Sequence, residues 1–280
     1  MILLHSIQDC EQLPTNNAKY LVPTMGALHA GHCSLIEKAK QLAQGGGCVI
    51  VSIFVNPTQF NRKEDLDAYP STLENDLKLC KASGADFVFI PSADTMYYKD
   101  QSISLVENSL TRGLCGSTRP GHFDGVCLVV TKLFNICRAT HAIFGEKDFQ
   151  QIAIIRRMVR DLNIPVQVIG GATVREASGL AMSSRNLNLT EENKKHAPSV
   201  FTSLNLAKKA YLSGEKCTKQ LIKAAKSALL SLPVEIQIDY LEIVDAESLH
   251  PLESIDNTSA IIAIAVFFGE VRLIDHLKIC

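Results

Sequence analysis

The stretch from Lys19 to Val55, KYLVPTMGALHAGHCSLIEKAKQLAQGGGCVIVSIFV, holds the pattern from which the fold is read. Lys19 to Pro23 is a short apolar run entering a glycine turn, as a strand does. His32 to Gln44 then places Leu35, Ile36, Ala39, Leu42 and Ala43 at helical spacing. Gly45-Gly46-Gly47 stops that helix, and Cys48 to Val55 is a continuous apolar run suited to a parallel sheet buried on both faces. Strand, helix and strand in this order make one βαβ unit.

The unit repeats along the chain. A helix over Leu73 to Ser83, stopped by Gly84, leads to a strand over Asp86 to Ile90. A helix over Val126 to Cys137 leads to a strand over Ala142 to Phe144, and one over Phe149 to Leu162 to a strand over Pro165 to Ile169. Right-handed crossovers then give an α/β fold, a Rossmann-like open parallel sheet with helices on both faces. Beyond Val174 the alternation stops. Thr190 is a candidate N-cap for a helix over Glu191 to Leu212, followed by a second over Cys217 to Leu232. Strands are expected near Ile236 to Val244 and Ala260 to Phe268, which makes a smaller α+β C-terminal domain. The expected division is residues 1–175 and 176–280.

Composition removes several classes of function. With 28 Lys+Arg against 29 Asp+Glu, the net charge of -1 argues against nucleic acid as a partner, because phosphate binding needs a basic excess. MILLHSIQDC lacks the features of a signal peptide, and the apolar run Ser259 to Phe268 is far short of the ~20 residues that span a bilayer. Nine scattered cysteines without a C-x-x-C pair fit reduced thiols better than a disulfide framework or a zinc site. A soluble, cytoplasmic protein with no membrane partner is the expectation. P-loop, G-x-G-x-x-G and G-x-S-x-G motifs are missing, which weakens kinase, dinucleotide and serine-hydrolase readings.

In an open parallel sheet the ligand binds beyond the carboxyl ends of the strands, so the loops there are searched for chemistry. After the first strand, Met25-Gly26-Ala27-Leu28-His29-Ala30-Gly31-His32 runs into a helix whose N-terminal N–H groups favour an anion. His29 and His32 are donors at that helix start; the same residues read equally as a turn with two surface histidines. A metal pair lacks a third ligand at suitable spacing. After the second strand, Asn56 and Gln59 offer neutral amides for the hydroxyls and carboxylate of a small polar substrate, or form a capped turn. Gly145-Glu146-Lys147-Asp148 precedes a helix, where capping explains Asp148 but not a lysine at the positive end of the dipole. Met182-Ser183-Ser184-Arg185 is either a flexible clamp for phosphate oxygens or a polar linker. The four glycines of Thr111 to Gly125, around Arg119, suggest a mobile loop.

Taken in order, these motifs carry a resemblance. His29-Ala30-Gly31-His32 resembles the HxGH motif of the nucleotidyltransferase superfamily, and Met182-Ser183-Ser184-Arg185 resembles its KMSKS-type loop. PTMGALHAGH, IFVNPTQF, RPGHFDGV, FGEKDFQQ and GLAMSSRN, in this order and spacing, resemble the pantothenate synthetase family from about Leu21 to Leu189, with a weaker match at Arg272 to Asp275. The resemblance implies ATP-dependent condensation of (R)-pantoate with β-alanine through a bound pantoyl adenylate. It implies ATP contacts from Met25, Gly26, Ala27, Leu28, His29, Ala30, Gly31, His32, Gly145, Glu146, Lys147, Asp148, Val174, Met182, Ser183, Ser184 and Arg185. Of these, His32, His29, Lys147 and Arg185 would carry the catalysis. Gln59 and Gln151 would bind pantoate, with Gln59 also near β-alanine, and the C-terminal domain would act as a lid in a homodimer.

Ser178, Ser71 and Cys115 depart from residues frequent in that family, without touching a residue given a role. Asn75-Asp76 stands where some members have paired carboxylates, so Mg²⁺ is assigned mainly to the ATP phosphates and no protein metal site is expected. Another nucleotidyltransferase acting on a phosphorylated substrate would need a second cationic pocket, whereas Asn56, Gln59 and Gln151 are neutral. A tRNA synthetase would need a basic surface. A nucleotide-sensing regulator would have lost a catalytic residue, yet His32, Lys147, Ser183 and Arg185 are all present.

Overall fold

Each neighbouring pair in the larger sheet is parallel, as the repeated strand–helix pattern requires. The computed structural model describes residues 1–61, 63–67, 69–256 and 259–280. By contacts the chain divides into two compact units, the first comprising Met1–Glu107, Pro120–Glu146 and Gln151–Ala172, and the second Asn108–Arg119, Lys147–Gln150 and Thr173–Cys280. Among the described residues, no helix is long and apolar enough to cross a membrane. All nine cysteines are free thiols.

The first unit is built on a six-stranded sheet. Its strands are β1 (Ile2–Leu4), β2 (Lys19–Thr24), β3 (Cys48–Ile53), β4 (Phe87–Phe89), β5 (His141–Gly145) and β6 (Gln167–Gly171). They lie in the order β1-β4-β3-β2-β5-β6. The chain winds outward from β2 through β3 to β4 and returns to place β5 on the other side of β2. The strand order therefore reverses between β2 and β5, and a crevice opens there at the carboxyl ends. The expected α/β fold is thus observed, and β1 is an additional edge strand too short for its sequence to announce.

β3 is buried along its whole length, as its unbroken apolar run demands. Val49, Val51 and Ile53 point to the face that carries Leu35, Ile36 and Ala39 of the Ala30–Leu42 helix and Cys80 of the Leu73–Ser83 helix. Alternate residues Leu21 and Ile50 are also fully buried on the opposite face. The His122–Ile136 helix buries Val126, Val129, Val130 and Leu133.

The second unit holds an antiparallel sheet in the order β7-β8-β9, with β7 Ile236–Asp245, β8 Ala260–Phe268 and β9 Val271–Lys278. β9 adds to the two expected strands, and the left-handed Gly269 makes the hairpin turn into it. The long helix expected over Glu191 to Leu212 is two helices, Glu191–His196 and Ser199–Leu212. Pro198 lacks the N–H that would continue the first, so the chain restarts there. Ser199–Leu212 and Thr218–Leu230 bury Val200, Leu204, Leu221 and Leu229 in the same core as Ile262 and Ile264 of β8. Thr111 to Gly125, expected as a mobile loop, contains the helix Leu114–Thr118 and the start of His122–Ile136. Two of its glycines serve close packing: a Cβ at Gly116 would meet the Thr111 carbonyl at 2.3 Å, and one at Gly125 the Thr58 carbonyl at 2.4 Å.

Candidate active site

In the first unit, the loop after β2 has to turn from a buried strand into a helix within a few residues. Gly26 and Ala27 do so in the left-handed region, at φ 84° and 50°. That conformation is strained for alanine. Asp76, buried on the Leu73–Ser83 helix, holds it by accepting from the N–H of Ala27 at 3.0 Å and of Leu28 at 2.8 Å, and from Thr72 Oγ1 at 3.0 Å. Asp76 is therefore a loop anchor, a role its sequence position does not suggest.

His29 is the N-cap of the Ala30–Leu42 helix, and with His32 it forms a reciprocal capping box. His29 Nδ1 accepts from the Gly31 N–H at 3.1 Å, and His32 Nδ1 accepts from the His29 N–H at 3.3 Å. Their rings lie 4.1 Å apart. Because both Nδ1 atoms accept, each neutral ring carries its proton on Nε2. Two imidazole donors thus sit at a helix N-terminus, where the dipole also favours negative charge.

The loop after β3 is a network of amides. Asn56 Oδ1 accepts from Tyr97 Oη at 2.6 Å and Thr58 Oγ1 at 2.9 Å, while its Nδ2 donates to Gln59 Oε1 at 3.0 Å and to the Gly125 carbonyl at 3.2 Å. Gln59 Nε2 then meets the Met25 sulfur at 3.2 Å, which joins this loop to the loop after β2. His122 donates from Nδ1 to the Gln59 carbonyl at 2.7 Å. Burial raises the Tyr97 hydroxyl above its ordinary pKa, which keeps it a donor. The structure thus brings Met25, Asn56 and Gln59 together. It adds Asp76, Tyr97, His122 and Gly125, whose roles depend on contacts distant in sequence. Gly145 ends β5 and the Glu146 N–H bonds to the Gly171 carbonyl at 2.8 Å. Gln151 lies in the first turn of the Phe149–Asp161 helix.

In the second unit, Met182 to Arg185, expected as a flexible clamp or a polar linker, follows directly on a hydrogen-bonded hairpin that begins at Val174. Arg175 and Ala181 form an antiparallel bridge, and the Met182 N–H donates to the Val174 carbonyl at 2.9 Å. Gly179 makes the turn at φ 92°. Ser183 caps the short helix Ser184–Asn188, and Asn186 Nδ2 ties it to the Ala181 carbonyl and to Glu176. Arg175 stacks on Phe201 at 3.6 Å and forms a bidentate pair with Asp275 of β9 at 2.6 and 2.9 Å. A cavity of this unit is lined by Lys147, Ser183, Arg185, Arg272 and Asp275 among others. Lys147 is mostly buried and lies 3.6 Å from Asp148 Oδ1. His276 hydrogen-bonds the Lys147 backbone and packs on Phe149 at 5.1 Å, and its Nδ1 is buried without a partner. Among the described residues, no group of three His, Cys, Asp or Glu side chains is placed to hold a metal ion.

A family model described as pantoate-beta-alanine ligase matches residues 3–278. Pantothenate synthetase of Fervidobacterium nodosum is 48% identical over 284 residues, covering 100% of this chain and 99% of its own. The crystal structure of pantothenate synthetase from Thermus thermophilus superposes with a TM-score of 0.94 at 40% identity, covering 100% of this chain and 99% of that one. Pantoate-beta-alanine ligase from Francisella tularensis, complexed with beta-gamma ATP and beta-alanine, gives a TM-score of 0.80 at 32% identity, covering 100% and 98%.

Removing the Asp76 acceptor leaves the Ala27 and Leu28 N–H groups unpaired in a buried turn. Each buried donor left unmade costs about 1–3 kcal/mol. Asp76→Ala is therefore expected to lower the urea midpoint of the first unit at unchanged m-value. A variant with the wild-type midpoint refutes the anchor.

His276 titrates below the ordinary histidine value, first because burial disfavours its charged form and further because Arg175 is near; Asp275, Asp148 and the Lys147 backbone oppose this. The unfolded chain therefore binds a proton at higher pH than the folded one. The stability from neutral His276 is complete above pH ~6.5 and is lost as pH falls through the lower folded value. In thermal melts from pH 7.5 to 5, His276→Gln should flatten this part of the acid decline. An unchanged slope contradicts the assignment.

Proposed function

The chain belongs to the pantoate-beta-alanine ligase family, and from that premise we propose that it condenses (R)-pantoate with β-alanine at the expense of ATP, releasing AMP and diphosphate. In the first half-reaction the pantoate carboxylate attacks the α-phosphorus, the bond to the bridging oxygen breaks, and pyrophosphate leaves from the pantoyl adenylate. In the second, the neutral amine of β-alanine attacks the acyl carbon, AMP departs and the nitrogen loses its proton. The product is pantothenate, the vitamin from which coenzyme A is built.

Neither step needs a protein nucleophile. Both need aligned reactants and neutralised charge on the leaving group. The observation that carries the reading is the pair of Nδ1-tethered imidazoles, His29 and His32, at the start of the Ala30–Leu42 helix. We assign ATP to Met25 through His32, Gly145 through Asp148, Val174 and Met182 through Arg185, with His32, His29, Lys147 and Arg185 stabilising the charge that develops on the phosphates. Gln59 and Gln151 are assigned to pantoate, and Gln59 also to β-alanine. The amides held by Asn56 suit hydroxyls and a carboxylate better than a second phosphate.

Mg²⁺ is assigned to the ATP phosphates. Asp76, the carboxylate nearest the loop after β2, already spends both oxygens on Ala27, Leu28 and Thr72, so it does not fit a metal-ligand role. The ion would supply charge neutralisation on the triphosphate. A cytoplasmic biosynthetic enzyme and a homodimer complete the reading. Light scattering of the full chain should give twice the 30.6 kDa chain mass, and a monomer mass at assay concentration removes the dimer from it.

The deciding experiment is ATP–pyrophosphate exchange with (R)-pantoate present and β-alanine absent. Exchange should depend on pantoate. Losing one positioned donor to a developing oxyanion typically costs about 10²–10³ in rate, so His32→Ala and Lys147→Ala should each slow exchange by that order. ATP binding without pantoate-dependent exchange refutes the substrate, and near-wild-type exchange in either variant refutes that residue's role.

A further inference from the structure

We propose that Arg272 of β9, aimed by Asp239 of β7, is a further anion-binding residue that takes the pyrophosphate end of the nucleotide, an inference that rests on the ATP-dependent reading above. Nothing in the motif matches gives either residue a role.

The cavity of the second unit brings Lys147, Arg185 and Arg272 to one lining together with the hydroxyl of Ser183. Its carboxylate, Asp275, does not balance them. Both Asp275 oxygens are engaged by Arg175, and one also accepts the His276 N–H at 2.8 Å. Lys147 and Arg272 each have one carboxylate beside them, Asp148 and Asp239, while among the described residues Arg185 has no ion-pair partner, and three cations on a partly desolvated wall favour an entering anion. The guanidinium of Arg119 in the same unit is held below its ordinary pKa, first by burial and further by the like charges of Arg185 and Arg272, while Cys115 opposes this.

Arg272 is built into position. Its side chain is 17% exposed, and Nε and Nη2 donate to Asp239 Oδ2 at 2.9 and 2.7 Å. The guanidinium lies near the Tyr240 ring at 5.7 Å, and Nη2 also reaches Thr118 Oγ1 at 3.4 Å. Among the described residues Nη1 meets the Cys115 sulfur alone, at 3.8 Å, which is a weak acceptor. One edge of the fork is thus pinned by a carboxylate, while among the described residues Nη1 has no oxygen partner. A guanidinium fork matches phosphate oxygens in charge and geometry.

The position of Asp239 supports design over chance. β7 and β9 do not pair with each other; both pair with β8, where Gln237 and Arg272 flank Phe267. The register of β7 slips between Ile238 and Tyr240, so Asp239 is the extra residue of a bulge. A bulge re-aims one side chain out of the regular alternation, here so that a carboxylate reaches an arginine two strands away. A plain surface ion pair would not need one.

The test uses the full chain and inorganic pyrophosphate as the probe. Calorimetry gives its Kd, and pantoate-dependent ATP–pyrophosphate exchange gives KM for pyrophosphate and for pantoate separately. Arg272→Gln should weaken pyrophosphate about 10- to 100-fold by both readouts, the loss expected for a charge-assisted pair, with KM for pantoate unchanged. Asp239→Asn should weaken it less, about 3- to 10-fold, because the fork stays but loses its anchor. Wild-type pyrophosphate affinity in a folded Arg272→Gln, or an equal loss of pantoate affinity, overturns the inference. If Arg272→Gln does not fold, Arg272→Lys and Asp239→Asn carry the test, and wild-type affinity in both overturns it. Pyrophosphate binding that depends on Arg272, in a chain without pantoate-dependent exchange, supports this residue assignment while refuting the pantoate reading.

Discussion

The first unit depends on one buried carboxylate accepting two backbone N–H groups. The chain must leave β2 and enter the Ala30–Leu42 helix with Gly26 and Ala27 both in the left-handed region. Glycine tolerates that, and alanine does so at a cost of roughly 1–2 kcal/mol. Asp76 offsets the cost by taking the Ala27 and Leu28 N–H groups, and the approach is so close that a Cβ on Gly26 would lie 3.1 Å from its Oδ2. With the turn held, His29 falls at the N-cap, and the capping box then orients both imidazoles through their Nδ1 atoms. The order of causes runs from a strained turn, to its anchor, to the tautomers of two histidines.

A corresponding constraint acts in the second unit through arginines. Arg175 is gripped by Asp275 and stacked on Phe201, which holds the Val174–Asn186 hairpin against β9. Arg272 is gripped by Asp239 in the same sheet. Partly buried pairs of this kind contribute little net stability, because desolvation offsets most of the Coulomb gain. Their effect is geometric. Each fixes a long side chain that would otherwise sample many rotamers, and fixed cations reorganise little when an anion arrives.

How much of this the sequence discloses depends on the range of the contact involved. β3 and the helix before it are legible because apolar periodicity is local, and the helix Leu73–Ser83 is read to its last residue because Gly84 stops it. The break at Pro198 is equally local, but an amphipathic pattern that continues on both sides masks it. In the run Thr111 to Gly125, Gly116 and Gly125 permit tight backbone packing that composition alone does not show. The candidate histidines are visible at their helix start, but Asp76, Tyr97 and His122 act across 41 or more positions and announce themselves only through the fold. Asp239 belongs with them, since a bulge leaves no mark in composition, and Arg272 falls in the weaker motif match without a role that the motif assigns.

The two units also differ in the chemistry they present. Around Asn56 and Gln59 the polar groups are neutral amides, hydroxyls and imidazoles, each tied to a partner that sets its direction. Around Arg185 and Arg272 they include the cation Lys147 together with the carboxylates Asp275 and Asp239. The proposed reaction, between two carboxylate-bearing substrates and a triphosphate, would make use of both kinds of group. A strongly cationic pocket would bind pantoate, β-alanine and phosphates alike and would not distinguish them, whereas neutral donors recognise a hydroxy acid through hydrogen bonds whose loss is costly when buried. Fixed cations suit the group that departs, because its charge grows as the bond to the α-phosphorus breaks, and a stabiliser is useful to the extent that it acts more on the leaving group than on the bound substrate.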